Sequence, residues 1–397
     1  MVNSIANTAY DFVSPRRIVF GWGRRRELGT LAKTLGRRAF VIAGSRTLYN
    51  TGVMGELFDS LRTAGVEPVE LETLESEPQV HDVDRVAAAI RRHRIGPGDF
   101  LLGIGGGAAI DLAKAVAAMA TNAESCTVQD YLENVGRDLK LVAPPLPVLA
   151  MPTTAGTGAE ATRNAVISSY DPPFKKSLRD ERLMPQIALI DPELCVSVPR
   201  NVTAASGMDA ITQLIESYVS RKARPIPQAL AVQGLRLAVP AIAETVEDGE
   251  ARPAREAMSH AALLSGLALA NSGLGMAHGV AAALGIHCRA PHGAACAVML
   301  PVALRVNAEV RQEELAILSH LLFGYSVRRS PAEAVEAFIH EIEALCKRVG
   351  VPQRLSQLGV TAGQIPAIVA SSRGSSMSGN PRELSDAELT AVLEQML

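Results

Sequence analysis

The sequence is poor in cysteine, poor in aromatic residues and nearly neutral. Five cysteines among 397 residues, with no CxxC pair, exclude a disulfide framework and are typical of thiols in a reducing compartment. A formal net charge of −2 excludes a general attraction for nucleic acid, and the arginine-rich stretches at 24–26 and 91–94 lack interleaved aromatic residues. Hydrophobic residues make up 48% and charged residues 20%, which indicates a globular chain and not a disordered one.

Long apolar runs are also missing. Glycine, proline or a charged residue interrupts each apolar stretch within about 18 residues, so no membrane span is predicted. The first residues, MVNSIANTAYDF, lack a basic segment followed by an apolar core, so no signal peptide is expected. The sequence therefore predicts a soluble cytoplasmic protein with no membrane or nucleic-acid partner.

The first half of the chain alternates strand-like and helix-like patterns. Apolar runs that predict strands lie at 39–44, 67–71, 99–107, 145–154 and 186–191. Helical patterns lie between them at 52–64, 82–94 and 109–120. Such alternation predicts a mostly parallel sheet with helices on both faces.

After residue 196 the strand signals nearly vanish. Alanine- and leucine-rich segments with 3.6-residue periodicity predict helices at 201–221, 227–247, 253–270, 275–286, 312–323 and 331–349. We therefore predict two domains, an α/β domain over residues 1–197 and an all-helical domain over residues 198–397.

Two loops rich in small residues follow predicted strands. Residues 101–114, LLGIGGGAAIDLAK, run from a strand through the glycines at 105–107 into a helix, and N–H groups at such a helix start bind phosphate well. Residues 151–162, MPTTAGTGAEAT, offer hydroxyl groups after another strand. A tight turn would explain the first loop without a ligand, and the capping-box spacing of Thr157 and Glu160 would explain the second. Ligands of open α/β sheets bind at the carboxyl ends of strands, which favours a nucleotide site here.

One predicted helix of the second half carries a carboxylate and an amide on the same face. Asp209 and Gln213 are four residues apart, so their side chains are neighbours on that helix. His278 lies on a later helix, and His292 lies between a proline and a glycine at a helix start. Each residue alone is typical of a satisfied polar group in a core, whereas an aspartate with two histidines is also a ligand set for a divalent transition metal.

Together these motifs resemble those of the iron-containing (group III) alcohol dehydrogenases. They occur in the family's order along nearly the whole chain: GGGAAIDLAK (105–114), MPTTAGTGAEAT (151–162), GMDAITQLIESY (207–218), GLGMAHG (273–279), APHG (290–293) and SGNPRELS (378–385). The resemblance implies a Rossmann-like dinucleotide-binding α/β domain and an all-helical domain, in a dehydroquinate synthase-like arrangement with the active site in the cleft between them. It also implies hydride transfer between a small alcohol and NAD or NADP, with the substrate oxygen held by Fe²⁺ or Zn²⁺.

The resemblance also assigns site residues, motif by motif. It implies that Asp209, His278 and His292 are metal ligands and catalytic residues. The residues that it implies for cofactor binding are Gly105, Gly106, Gly107, Asp111, Thr153, Thr154, Thr157 and Lys175.

The chain departs from the family pattern at three positions. The second metal ligand, a histidine four residues after the aspartate, is Gln213 here, whose carbonyl oxygen offers a weaker neutral ligand. A histidine often credited with proton relay is Ala282, so His287 is predicted as another proton carrier, and the serine of the glycine motif is Ala108. Glu216, three residues past Gln213, is predicted to orient a metal ligand.

The residues after the strand at 39–44 bear on the choice of cofactor. A carboxylate there usually selects NAD by binding the ribose 2′-hydroxyl. The family's aspartate position is Ser45 here and Arg46 follows it, so no acid repels a 2′-phosphate and a cation can pair with one. The sequence therefore favours NADP, or the use of both cofactors.

These observations predict an NAD(P)-dependent alcohol dehydrogenase or carbonyl reductase that acts on a small alcohol or aldehyde as a homodimer or larger homo-oligomer. The alternatives are a metal-independent keto-acid reductase of the maleylacetate type, a lyase such as dehydroquinate synthase, and a non-enzymatic nucleotide sensor. An empty metal site is compatible with the first alternative.

Overall fold

A computed structural model describes residues 9–44, 46–74, 76–324 and 329–397. It divides the chain into two compact units. The first is Ser14–Val198, and the second is Pro199–Leu397 together with residues 9–13, where the backbone N–H of Val13 donates to the side chain of Asn271. Ser45, one of the predicted cofactor-binding residues, lies outside the described residues.

A parallel sheet forms the centre of the first unit. The strands described in this unit are β1 (Arg17–Phe20), β2 (Arg38–Ala43), β3 (Glu67–Thr73), β4 (Asp99–Gly105), β5 (Val148–Pro152), β6 (Asn164–Tyr170), β7 (Pro173–Arg179) and β8 (Ile187–Ile190). Six of them form the parallel sheet in the order β1-β8-β5-β4-β2-β3, which includes all the predicted strands. The chain leaves β2 towards β3 and leaves β4 towards β5, so a topological switch point lies between β2 and β4.

Both faces of the central strands β2, β4, β5 and β8 are buried, which explains why these strands read as continuous apolar runs. The helices of the unit are α1 (Leu28–Ala32), α2 (Thr47–Asn50), α3 (Val53–Thr63), α4 (Val80–Arg92) and α5 (Gly107–Thr121). Successive side chains of β2 point to opposite faces. Phe40 and Ile42 pack into a core with α4 and α5, whereas Val41 and Ala43 pack into a core with α1 and α3.

The hairpin of β6 and β7 was not predicted from the sequence. Its strands pair antiparallel, with Ser168 opposite Lys175. Lysine, arginine and proline interrupt the apolar pattern of this segment, and they are typical of loops and edge strands. The hairpin places Lys175, one of the predicted cofactor-binding residues, on a strand.

The second unit is helical. Its described helices are α6 (Arg200–Val219), α7 (Pro225–Glu247), α8 (Arg252–Ala270), α9 (Met276–Cys288), α10 (His292–Asn307), α11 (Gln312–Phe323), α12 (Pro331–Val349), α13 (Ile365–Ser371) and α14 (Asp386–Glu394). The sequence patterns located only the start of α10, because Pro301 interrupts it. A proline leaves the carbonyl four residues earlier without its helical N–H partner. The thiol of Cys346 donates to that carbonyl, on Ala297, with a sulfur–oxygen distance of 3.9 Å.

Helix α6 lies at the centre of the helical unit. It packs against α7, α8 and α10, and each residue from Gly207 to Val219 is buried. Because this segment has no solvent-facing side, its polar side chains need partners inside the protein. Asp209, Gln213 and Glu216 belong to this segment.

Helix α7 is the one helix among the described residues that is long and apolar enough, by composition, to cross a membrane. Half of its apolar stretch is buried within the helical unit, where α7 packs against α6 and α8. Burial of this extent is typical of a core helix, so α7 is only weak evidence for a membrane span.

Candidate functional site

The helical unit brings four metal-binding groups together, which we call the candidate metal centre: Asp209 on α6, His278 on α9, and His292 and Cys296 on α10. Their donor atoms all lie within 4.8 Å of one another. His278 Nε2 lies 3.2 Å and His292 Nε2 lies 3.9 Å from Asp209 Oδ1, and Cys296 Sγ lies 3.7 Å from His292 Nε2. Asp209, His278 and Cys296 are buried, whereas the His292 side chain is 26% exposed. The structure thus brings together three of the four residues predicted as metal ligands, Asp209, His278 and His292.

A close contact between α6 and α10 positions His292. A Cβ atom at Gly293 would lie 2.4 Å from the carbonyl oxygen of Ala205 on α6, so only glycine fits there. This approach brings the start of α10 against α6, beside Asp209. Cys296 follows His292 by one helical turn and therefore lies on the same face of α10.

The carboxylate of Glu216 positions His278. Glu216 Oε2 lies 2.7 Å from His278 Nδ1, which directs the other ring nitrogen, Nε2, towards Asp209. The same carboxylate accepts the backbone N–H groups of Gly275 and Ala277 at the start of α9. A Cβ at Gly275 would lie 2.8 Å from Glu216 Oε1, which explains this glycine. The structure thus places Glu216 in the position predicted for it, against the ring nitrogen of His278 that faces away from Asp209.

A second side chain completes the start of α9. Asn380, from the SGNPRELS segment, accepts the backbone N–H of Met276 through Oδ1 at 3.0 Å. Asn307 at the end of α10 donates to the same oxygen and accepts the Asn380 side-chain N–H in return. The helix that carries His278 is therefore fixed at its first turn by two buried polar side chains.

The field at the candidate metal centre favours positive charge. Burial raises the pKa of Asp209, but its contacts with His278 and His292 outweigh burial and lower that pKa below its ordinary value. Burial lowers the pKa of His278, but contacts with Cys296, Asp209 and Glu216 raise it well above its ordinary value. Burial also raises the pKa of the Cys296 thiol to about 12. Groups that favour a proton on His278 also favour a cation beside it.

Gln213, predicted as a weaker metal ligand, lies beside Asp209. Its amide nitrogen Nε2 lies 3.4 Å from Asp209 Oδ2, and its amide oxygen lies 3.0 Å from the Ser265 hydroxyl. In this orientation the amide oxygen faces Ser265 and the amide nitrogen faces the centre.

His287, predicted as a proton carrier, lies apart from the four groups of the candidate metal centre. It lies nine residues after His278 on α9, which corresponds to about 14 Å along the helix axis. Its Nε2 lies 2.7 Å from the Ser371 hydroxyl, and the residue is partly exposed. The structure thus does not bring His287 to the candidate metal centre, where it was predicted to carry protons.

Cys296 and Ser265 were missed in the sequence. The spacing His-x-x-x-Cys from His292 to Cys296 is the signal that could have revealed the thiol, because four residues on a helix give neighbouring side chains. No sequence pattern connects Ser265 with Gln213, since 52 residues and a helix separate them.

In the first unit, two glycines mark the switch point of the sheet. Gly105 ends β4 with a backbone φ of +154°. A Cβ there would lie 2.8 Å from the Cα of Gly44, which follows β2. The ends of β2 and β4 therefore approach each other more closely than side chains permit, at the place where open α/β sheets bind ligands.

The two predicted cofactor loops meet beside this point. A Cβ at Gly107, the first residue of α5, would lie 2.6 Å from Thr157 Oγ1, and one at Gly106 would lie 3.4 Å from Thr154 Oγ1. The backbone N–H of Thr153 donates to the carbonyl of Gly105 at 2.9 Å. Hydroxyl groups and the N-terminus of α5 thus face one small region, which suits an anionic ligand.

Asp111 lies in a buried ion pair. Lys114 Nζ lies 3.0 Å from Asp111 Oδ1 and donates to the carbonyl oxygen of Ala159 and the hydroxyl of Thr162, both at 2.9 Å. Asp111 Oδ2 accepts the backbone N–H of Val166 at 3.0 Å. We call Asp111, Lys114, Thr162 and the neighbouring buried Glu160 the Lys114 cluster. The Lys114 cluster connects α5 with the loop after β5, so Asp111 stabilises the packing of the two predicted cofactor loops.

The remaining predicted cofactor residues lie elsewhere on the first unit. Lys175 Nζ lies 2.6 Å from Glu77 Oε1, and its side chain is 9% exposed. Arg46 is exposed at the start of α2, directly after the loop that follows β2.

Comparison with known proteins places these features in one family. The family model described as iron-containing alcohol dehydrogenase matches residues 15–192, and that of the Fe-containing alcohol dehydrogenase family, C-terminal, matches residues 203–397. The chain is 31% identical over 388 residues to an NAD-dependent methanol dehydrogenase from Bacillus methanolicus, with 98% of this chain and 100% of that protein covered. It is 29% identical to an NADPH-dependent butanol dehydrogenase from Clostridium saccharobutylicum, with 96% and 97% covered.

Solved structures agree with the sequence relatives. The crystal structure of a 1,3-propanediol oxidoreductase superposes with a TM-score of 0.91 at 30% identity and covers 98% of this chain and 100% of that one. The predicted fold class and family are thereby confirmed, and the keto-acid reductase alternative is not favoured. The protein belongs to the iron-containing alcohol dehydrogenase family, as an NAD(P)-dependent oxidoreductase that acts on CH–OH groups.

Proposed function

We propose that the protein transfers a hydride between a small alcohol and a nicotinamide cofactor, with the candidate metal centre holding the substrate oxygen through a divalent ion. The observation that carries this proposal is the convergence of Asp209, His278 and His292 in a buried site where Glu216 orients one of the imidazoles. The names of the relatives mention methanol, butanol and 1,3-propanediol, which supports a small alcohol or its aldehyde as the substrate.

The donor set of the centre fits a transition metal. Carboxylate, imidazole and thiol groups bind Fe²⁺ and Zn²⁺ well, and the family supports iron. When bound, such an ion supplies Lewis acidity that lowers the pKa of an alcohol and polarises a carbonyl. The chain's own residues prepare the site: Glu216 binds the Nδ1 side of His278, Gln213 holds Asp209, and the partly exposed His292 lies on the accessible side.

The proposed cofactor site is the region around Gly105, Gly106 and Gly107. The N-terminus of α5 and the hydroxyls of Thr154 and Thr157 suit the pyrophosphate. Arg46 is proposed to pair with a 2′-phosphate, which gives NADP preference or dual use. We also propose that the enzyme is cytoplasmic and forms a homodimer or a larger homo-oligomer.

Replacement of a ligand tests the metal-assisted reaction. Asp209→Ala and His278→Ala are each expected to lower kcat/KM by about 10³-fold or more, which corresponds to about 4 kcal/mol of transition-state stabilisation. Binding of NADPH, followed by its fluorescence, remains close to wild type because the cofactor loops belong to the other unit. Chelation removes the activity of the wild type, and added Fe²⁺ or Zn²⁺ restores it. Turnover that survives both the substitutions and chelation contradicts the proposal.

Cofactor preference is tested separately at Arg46. Arg46→Ala is expected to lower kcat/KM for NADPH by about tenfold, since loss of one charge-assisted hydrogen bond costs about 1.4 kcal/mol or more, while kcat/KM for NADH changes little. Steady-state kinetics with both cofactors measure the ratio. A wild-type enzyme with a clear preference for NADH contradicts the assignment of Arg46.

A further inference from the structure

The candidate metal centre contains a thiol that the family pattern does not explain. We propose that Cys296 is a fourth metal ligand, bound as a thiolate, and that it compensates for the histidine replaced by Gln213. The centre is then an aspartate–histidine–histidine–cysteine site with a preference for Zn²⁺ over Fe²⁺. This inference rests on the proposed function, because it requires that a metal binds at Asp209.

The donor distances suit one ion bound by all four side chains, with the substrate oxygen as a fifth ligand on the side of the partly exposed His292. Zinc bonds of about 2.0 Å to nitrogen or oxygen and about 2.3 Å to sulfur, at near-tetrahedral angles, place neighbouring donors about 3.3 to 3.6 Å apart. The separation is 3.2 Å between His278 Nε2 and Asp209 Oδ1 and 3.7 Å between Cys296 Sγ and His292 Nε2. His292 Nε2 lies 3.9 Å from Asp209 Oδ1. The Cys296 sulfur also lies within 4.8 Å of the donor atoms of Asp209 and His278, so it faces the same point as the other three groups.

Gln213 does not occupy the fourth ligand position, which the Cys296 thiol can therefore take. The Gln213 amide oxygen lies 3.0 Å from the Ser265 hydroxyl and its amide nitrogen lies 3.4 Å from Asp209 Oδ2, so ligation by the amide would disturb both contacts. An amide N–H is a donor and offers no lone pair to a cation. Cys296 is therefore the residue that can fill a fourth position without disturbing the surrounding hydrogen bonds.

A second buried cysteine of the same unit shows what a purely structural thiol looks like here. Cys346 is also buried, and its thiol donates to the carbonyl of Ala297 that Pro301 leaves without a helical partner. Cys296 instead lies among a carboxylate and two imidazoles. Thiolate is a soft ligand that favours zinc over harder ions. Ligation replaces the S–H bond by a sulfur–metal bond and releases one proton to solvent.

Cobalt substitution tests the sulfur–metal bond directly. Purified protein is depleted of metal and loaded with Co²⁺, and cobalt content is measured beside the absorption spectrum. Wild type and Cys346→Ser are expected to show a near-ultraviolet thiolate-to-cobalt charge-transfer band. Cys296→Ser is expected to lose that band while its far-ultraviolet circular dichroism is unchanged. Competition with a chromophoric chelator should show zinc affinity lowered at least about tenfold in Cys296→Ser, and unchanged in Cys346→Ser.

The wild-type spectrum decides the question even if Cys296→Ser does not fold. The other four cysteines, all described, lie outside the candidate metal centre, so a thiolate band in wild type identifies Cys296. Stoichiometric cobalt without a thiolate band overturns the ligation by Cys296 and leaves the proposed function standing. A band that persists in Cys296→Ser overturns it equally. Failure to bind cobalt, combined with turnover that resists chelation, overturns the proposed function and this inference with it.

Discussion

Each of the two units buries a cluster of charged side chains, and the two clusters differ in where their cation comes from. In the Lys114 cluster the cation belongs to the chain itself. It is the ammonium group of Lys114, which pairs with Asp111 and with two oxygen acceptors from the loop after β5. In the candidate metal centre the side chains are lone-pair donors, and Glu216 and Gln213 hold them in place. The first arrangement is complete without a ligand, whereas the second is arranged to receive one. The Lys114 cluster is therefore suited to stabilise the fold, and the candidate metal centre is suited to bind a ligand.

Removal of the internal cation is expected to give the largest loss of stability. Lys114→Met leaves the Asp111 carboxylate buried without its partner, which costs about 3–5 kcal/mol of the free energy of unfolding. Denaturant unfolding of the purified protein measures the loss. The double variant Asp111→Leu with Lys114→Met should recover most of it, since both charges are then absent. A loss below about 1 kcal/mol in the single variant would show that the pair is not a support.

The carboxyl group of Glu160 makes the Lys114 cluster sensitive to pH. Burial raises its pKa to about 7, above the ordinary 4.5. The folded protein thus keeps a proton that the unfolded chain releases, so stability falls as pH rises from about 4.5 through about 7, by about 3 kcal/mol in total. Glu160→Gln cannot lose a proton at this position, so the variant should be more stable than wild type at pH 8, by about 3 kcal/mol.

The measurement for Glu160 is the difference in unfolding free energy between wild type and variant across this pH range. The same substitution at the exposed Glu124 serves as the control. A difference that stays constant from pH 4.5 to pH 8 contradicts the assignment.

The candidate metal centre should respond mainly through its affinity for metal. Glu216→Gln keeps one oxygen acceptor for the start of α9 but removes the second acceptor and the charge that binds His278 Nδ1. The expected effect is a 10–100-fold weaker binding of Zn²⁺, or about 1.4–2.7 kcal/mol, together with a lower unfolding midpoint, because one buried N–H group loses its acceptor. Chelator competition measures the affinity, and Glu244→Gln on the exposed face of α7 is the matched control. Unchanged affinity in Glu216→Gln would remove Glu216 from the centre.

The two units also differ in how far the sequence predicts them. The parallel sheet was predicted because strands buried on both faces leave apolar runs. The hairpin of β6 and β7 was not, because an edge of the fold tolerates lysine and proline in strands. Helix α10 was recognised only at His292, because Pro301 hides its helical pattern. Each of these differences has a local physical cause.

The sequence predicted which residue types form the candidate metal centre, but not how their side chains are oriented. Motifs identified Asp209, His278 and His292, and helix spacing identified Glu216. The direction of the Gln213 amide depends on a hydroxyl from α8, at Ser265, which no local pattern indicates. Cys296 required only the four-residue spacing from His292, once thiols are considered beside histidines.

The close packing of α10 on α6, which brings His292 beside Asp209, has a thermodynamic consequence. The donors of the centre come from three helices, α6, α9 and α10, and 69 residues separate Asp209 from His278 along the chain. An ion that binds only the folded protein at 100 times its dissociation constant adds about 2.7 kcal/mol to stability through mass action. Under the proposed function, the folded population of the helical unit therefore depends on the supply of metal in the cell. Metal starvation should deplete the protein itself, through unfolding and proteolysis, and not only its activity.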